Sequence, residues 1–291
     1  MTRGYVSPTW PNPNGPDDAS IIIYGFVPSK EIPILAFILF GTALISHTYQ
    51  AFRYRTWYFL PFTFGIAMEI AGYIPRYLSA TKDPYNKIYF IVQYFFIVCT
   101  PVLLTAAIYA CLYKMAVWVT KVRSSTKKAM GARPRWILWT FIAADIATTI
   151  LQVAGAALIG KVESDHKDST TANHILLAGL VVQAFSFITF LLVFFSFLGN
   201  LRRDPTFGRT FGGTRRFIYA LIVASVLILL RIVFRLAETA SGVFGYLMIH
   251  EAYYGVLEFA PVVVAVHILS VWHPGRWISV APLAHDRNVS A

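Results

Sequence analysis

Six ionisable residues stand inside stretches of the sequence that are otherwise hydrocarbon: Glu69, Asp145, Arg231, Arg235, Glu238 and Glu258. A central Arg or Asp costs roughly 2.5–3.5 kcal/mol on an insertion scale, so such residues persist in lipid only when they face one another or a polar cavity. Arginine keeps its charge in any such setting, and Arg231 and Arg235 each require a carboxylate or cavity water. Four acids for two fixed cations leaves two in excess, to be protonated, hydrated or met by a cationic ligand. The chemistry this predicts is recognition: a polar cavity that prefers an amphiphile with a cationic head. Buried ion pairs that merely lock helices in register are the competing reading.

Helical spacing brings these residues onto common faces. At about 100° per residue Arg231, Arg235, Glu238 and Gly242 fall in one narrow stripe, and Arg235 can pair with Glu238 inside its own helix. Glu69, Tyr73 and Arg76 share a second face. Asp145, Thr149, Gln152 and Ala156 share a third, where the small residue admits a close neighbour. Glu69, Arg235, Glu238 and Glu258 should lie at matching depth, about 6–12 Å below one interface by helical rise.

The elements that must carry these faces follow from composition. Of 291 residues, 57% are hydrophobic and 13% charged, against roughly 45–50% and 25% in soluble domains. That excludes an ordinary soluble protein, a disordered chain and a disulfide scaffold. Apolar runs at 32–50, 57–75, 88–117, 136–160, 174–198, 216–240 and 252–272 are each about long enough to cross a 30 Å core as a helix. The expected fold is an all-α membrane protein, a seven-transmembrane-helix bundle. The third run is over-long and contains Pro101, where a tilt or kink is expected.

Lys and Arg set the orientation. Sixteen lie on the side of the 53–55, 114–135, 202–216 and C-terminal segments, against seven on the other. Cytoplasmic loops hold the excess of positive charge, which predicts an outside N-terminus and a cytoplasmic C-terminus. The domains expected are a Pro-rich, mostly unstructured extracellular tail (1–30), the helical domain (31–273) and a short cytoplasmic tail (274–291). The basic stretch Lys121, Arg123, Lys127, Lys128, Arg133 and Arg135 then reads as a topology signal. The sequon at Asn288 would face the cytoplasm, unglycosylated.

Other chemistries are excluded on residues. The net charge of +11 is spread over short loops, without a base-reading module, so no nucleic acid is expected. Cys99 and Cys111 are about 18 Å apart on one helix and cannot bridge. His267 and His273 do not share a face for a metal. No Gly-x-x-x-x-Gly-Lys-Ser/Thr phosphate loop exists, so ATP does not drive the chain directly. All nine lysines lie outside the runs or at their ends, which excludes a retinal Schiff base in the seventh. No enzyme activity, cofactor or metal is expected. A seven-helix receptor-like sensor is the alternative from another class, although Tyr113-Lys114-Met115 and Ala260-Pro261-Val262 stand where receptor motifs would fall.

The chain resembles the fungal RTA1-like family, the lipid-translocating exporters. The resemblance rests on Glu69-Ile-Ala-Gly-Tyr-Ile-Pro-Arg76, Gln93, Pro101, Tyr109, Ala144-Asp145-Ile146, Gln152, Gly155, Gly179, Gln183, Arg231, Phe234-Arg235, Glu238, Gly242, Gly245, His250-Glu251, Glu258 and Pro261. It covers about residues 30–275. It implies a seven-helix protein of the fungal plasma membrane, or sometimes of internal membranes. It also implies export of sphingoid bases or sterol-like compounds and resistance to toxic amphiphiles. The partners implied are membrane lipids and amphipathic small molecules. On this reading Glu69, Asp145 and Glu258 face the head group, with Tyr73 beside Glu69. Arg231, Arg235 and Glu238 form the pair network, and Gln93, Gln152 and Gln183 add neutral hydrogen bonds. A regulator of lipid asymmetry without transport of its own is the alternative.

Overall fold

The structure is a computed structural model describing residues 5–10, 15–123, 134–164, 169–203, 214–242 and 244–277. Lys127, Lys128 and Arg133 of the basic stretch, most of the C-terminal tail and the sequon at Asn288 lie outside the described residues, as do the side chains of Lys121 and Arg123.

Long helices account for nearly all of the expected runs. They are α1 (Glu31–Tyr54), α2 (Leu60–Thr81), α3 (Lys87–Arg123), α4 (Pro134–Ser164), α5 (Thr170–Arg202) and α6 (Thr214–Ala240). Two short helices follow, α7 (Tyr246–Ile249) and α8 (Glu251–Tyr253). The chain then widens into a π-helical segment, Tyr254–Phe259, before α9 (Ala260–Val271) and α10 (Pro274–Trp277). Pro261 has no N–H for the carbonyl four residues earlier, and the wider turn before it absorbs that lost bond. Helix α3 continues through Pro101.

Among the described residues six helical stretches are long and apolar enough to span a membrane, not seven: Glu31–Tyr54, Lys87–Val119, Arg135–Ile159, Thr170–Arg202, Thr214–Ala240 and Glu251–Trp277. Helix α2 falls short because Glu69, Arg76, two prolines and two tyrosines dilute its 22 residues. It nonetheless belongs to the bundle. Each long helix packs on the next in chain order, and α9 returns against α1 to close the ring.

The packing is that of a protein solvated by hydrocarbon. Large apolar side chains such as Ile45 and Phe185 lie more than two-thirds exposed, whereas Glu69, Asp145, Arg231 and Glu258 are buried. Aromatic rings fill the interior, with Phe187, Phe190 and Phe194 stacked along α5. Helices α4 and α5 approach most closely at Gly155, where a Cβ would come within 2.7 Å of the Leu176 backbone nitrogen. Gly155, one position before Ala156, is thus a small residue that admits the neighbour. Cys99 and Cys111 are both free.

The N-terminal segment departs from the expected loose tail. Among its described residues there is no helix before Glu31, yet Ala19, Ile22, Ile23 and Tyr24 are buried against Tyr85 and Phe90. Backbone bonds fix it, from Ala19 N–H to the Tyr85 carbonyl (2.9 Å) and from Lys87 N–H to the Asp17 carbonyl (3.1 Å). Burying these apolar side chains out of water is what holds an irregular segment in place.

Candidate functional site

The i, i+4 spacing of Arg231 and Arg235 aims two guanidinium groups from one face of α6, and Glu258 meets both. Its Oε1 lies 2.8 Å from Arg231 Nη2 and its Oε2 lies 3.1 Å from Arg235 Nε. Glu258 sits in the π-helical segment. Arg231 also lies 3.5 Å from Glu69 Oε1 and donates to the Ile97 carbonyl at 2.7 Å. Arg235 pairs with Glu238 at 2.9 Å, the intrahelical contact its spacing predicts, and its guanidinium lies 5.1 Å from the Tyr94 ring centre. Arg235 to Glu238 and Arg231 to the Ile97 carbonyl are charge-assisted hydrogen bonds, strong ones in a dry interior, whereas the contacts of Glu258 and Glu69 are ion pairs by distance.

A third arginine joins the same region. Arg76, on the face of Glu69 and Tyr73, is buried and ion-paired with Glu251. Its guanidinium lies 4.0 Å over the Tyr254 ring and 5.7 Å from that of Tyr24. Glu251 in turn accepts the Ser29 N–H at 3.0 Å, tying the N-terminal segment to the arginine. Tyr24 donates to Gln93 at 2.7 Å. Spacing signalled Arg76, which lies on the Glu69 and Tyr73 face. Spacing marked neither Glu251, which entered only through the resemblance, nor Tyr24; the roles of both depend on chain folding back from a distance.

A cavity of about 70 Å³ opens among these groups at the end of the bundle covered by the N-terminal segment. Arg76, Arg235, Glu238, Gln93 and Asn173 supply its polar wall; Tyr24, Phe26, Phe90, Ile159 and Met248 are among its apolar and aromatic residues. A smaller pocket of about 20 Å³ lies against Gln152, Gln183, Arg231 and Pro101, and Arg235 and Tyr94 border both. Gln152 donates to Gln183 at 2.9 Å within this line.

The eight residues expected from sequence therefore separate. Arg235 and Glu238 line the larger cavity, and Arg231, Arg235 and Gln152 the smaller. Glu69 and Glu258 belong to the pair network itself, because both carboxylates are spent on Arg231. Tyr73 is core, its ring 5.9 Å from Phe40 and 5.7 Å from Phe259. Asp145 is held elsewhere, accepting from Thr105 and Tyr109, each at 2.8 Å, and from Ser186 at 3.5 Å. These hydroxyls come from α3 and α5, and among the described residues no cation pairs with Asp145. Of the glutamines, Gln93 lines the larger cavity.

The chain belongs to the RTA1 family: the model described as "RTA1 like protein" matches residues 62–281. Among curated relatives, the sphingoid long-chain base transporter RSB1 of Saccharomyces cerevisiae (strain Lalvin EC1118) is 27% identical, over 86% of this chain and 73% of its own length. The yeast protoporphyrin uptake protein 1 is 30% identical, over 73% of this chain and 67% of its own. Yeast protein RTA1 is 28% identical, over 84% and 71%. No solved structure matches the chain. Two of these relatives are named for transport or uptake.

Proposed function

We propose that this chain moves lipid-like amphiphiles across a membrane, with sphingoid bases as the leading substrate class and sterol-like or toxic amphipathic compounds as others. The observation that carries this reading is the cavity whose charged wall, Arg76, Arg235 and Glu238, continues through Arg235 and Tyr94 to the pocket at Gln152 and Gln183. Three arginines meet four glutamates in this region (Arg76, Arg231 and Arg235; Glu69, Glu238, Glu251 and Glu258), and a cationic head group offsets the remaining carboxylate. The names of the yeast relatives support the same class. Removal of toxic amphiphiles would confer resistance to them.

In this proposal α2 also crosses the membrane, since 22 residues span about 33 Å. The N-terminus lies outside the plasma membrane and residues 274–291 lie in the cytoplasm. A cysteine at Ser125 would then label only from the inside.

The test is translocation of a fluorescent sphingoid base across liposomes holding only the purified protein. Wild type should support flux, and Glu238→Gln should lower it at least tenfold with folding intact. No flux above empty liposomes with any of several amphiphiles would leave a sensor or regulator instead.

A further inference from the structure

Ala156 of α4 forms a wall common to two cavities, one of which holds charged groups and the other none. On one side is the polar-walled cavity of about 70 Å³, with Arg235 and Glu238. On the other is a groove of about 390 Å³ between α3 and α4, whose residues, among them Val92, Phe95, Phe96 and Val153, are all apolar. Val92 and Phe95 are 37% and 41% exposed, so the groove opens on the outer surface of the bundle. The side chain of Ala156 contributes only a methyl group to the shared wall.

We propose that this groove holds the alkyl chain of an amphiphile whose cationic head occupies the polar cavity, the chain passing between α3 and α4 over Ala156. The proposal deepens the function argued above and rests on it for the chemistry of the head. A head held beside Arg235 and Glu238 must send its chain somewhere apolar. The inward direction meets Arg231, Gln152 and Gln183, whose contact with hydrocarbon would strip polar groups of partners. The direction over Ala156 meets only carbon. A small space with charged groups beside a larger apolar one, with Ala156 between them, matches a ligand with a compact head and a long chain.

The test uses the full chain in phosphatidylcholine nanodiscs and a long-chain aminodiol carrying a diazirine at its chain terminus. Labelling is read by peptide mass spectrometry, separately from flux. The expected result is saturable labelling at Val92, Phe95 or Val153, displaced by unlabelled long-chain aminodiol and not by a short-chain analogue. Ala156→Leu, which narrows the passage, should reduce it at least tenfold. Val153→Trp, which fills the groove from its half-buried rim, is the second variant and should do the same with an unchanged melting temperature. Saturable labelling on other helices overturns the proposal, as does labelling that never saturates or that neither folded variant changes. Flux with the label elsewhere removes the groove and leaves transport standing; saturable groove labelling without flux does the reverse.

Discussion

Arg76 and Glu251 stand 175 residues apart in sequence and form one ion pair beneath the N-terminal segment. The same carboxylate receives the Ser29 N–H, so a single side chain joins α2, the start of the last helical stretch and the segment that covers the cavity. Glu251→Gln should strand the Arg76 charge, at a cost of about 3–5 kcal/mol for a buried pair. The expected outcome is a lowered melting temperature and at least tenfold faster proteolysis within residues 15–30.

Glu258 is the residue on which both α6 arginines depend. Glu258→Gln leaves Arg231 the Ile97 carbonyl and, as carboxylate partner, only the longer contact to Glu69, and should cost about 3–5 kcal/mol. Glu69→Gln removes the 3.5 Å contact alone and should cost less, about 1–2 kcal/mol. Thermal unfolding of both variants in the same detergent checks the order, and equal losses would contradict the bridging geometry.

Asp145 separates stability from function. Asp145→Leu strands the hydroxyl donors of Tyr109 and Ser186, about 1–3 kcal/mol for each group left unsatisfied, while Thr105 keeps the Val102 carbonyl at 3.2 Å. Asp145→Asn keeps an acceptor and should leave sphingoid-base flux within about twofold, since neither cavity touches this residue. A flux loss as large as that of Glu238→Gln would return Asp145 to the binding site.

Two glycines should respond in opposite directions. Gly155→Val forces a Cβ against the Leu176 backbone and should lose about 1–3 kcal/mol or more through overpacking. Gly41, inside α1, has nothing within 4 Å of a built Cβ. Gly41→Ala should gain about 0.4–1 kcal/mol by restricting the unfolded chain. Melting temperatures measured side by side decide both.

Asp83, in the turn between α2 and α3, is held above the usual carboxylate range, first by burial and then by its contact with Asp18. Because the folded state binds this proton more tightly, the contribution is complete below the unfolded value of about 3.9. It is lost as pH rises through the raised one. The N-terminal segment should therefore be held more firmly in acid. Hydrogen exchange at the Ala19 amide, corrected for its intrinsic rate, should show greater protection at low pH, and Asp83→Asn should flatten the difference.

The apolar runs, the pairing of Arg235 with Glu238 and the stripe of α6 were legible because each depends on spacing within one helix. The membership of Arg76 was nearly so, through its position on the Glu69 face. The division of labour among the carboxylates was not. Glu258 became a bridge to two arginines and Asp145 went to three hydroxyls, although both had read as groups for a ligand's head. The difference lies in how each helix is rotated and in the register imposed by the π-helical segment before Pro261.

By itself the sequence determined a helical membrane protein with rare charges that had to converge, because burial in hydrocarbon leaves polar groups no other stable outcome. Tertiary structure alone decided which partners they found. It brought Glu251 to Arg76, packed residues 19–24 over the cavity and set the apolar groove against Ala156. Each of these joins segments distant in the chain, and local periodicity carries no information about which helix faces will meet.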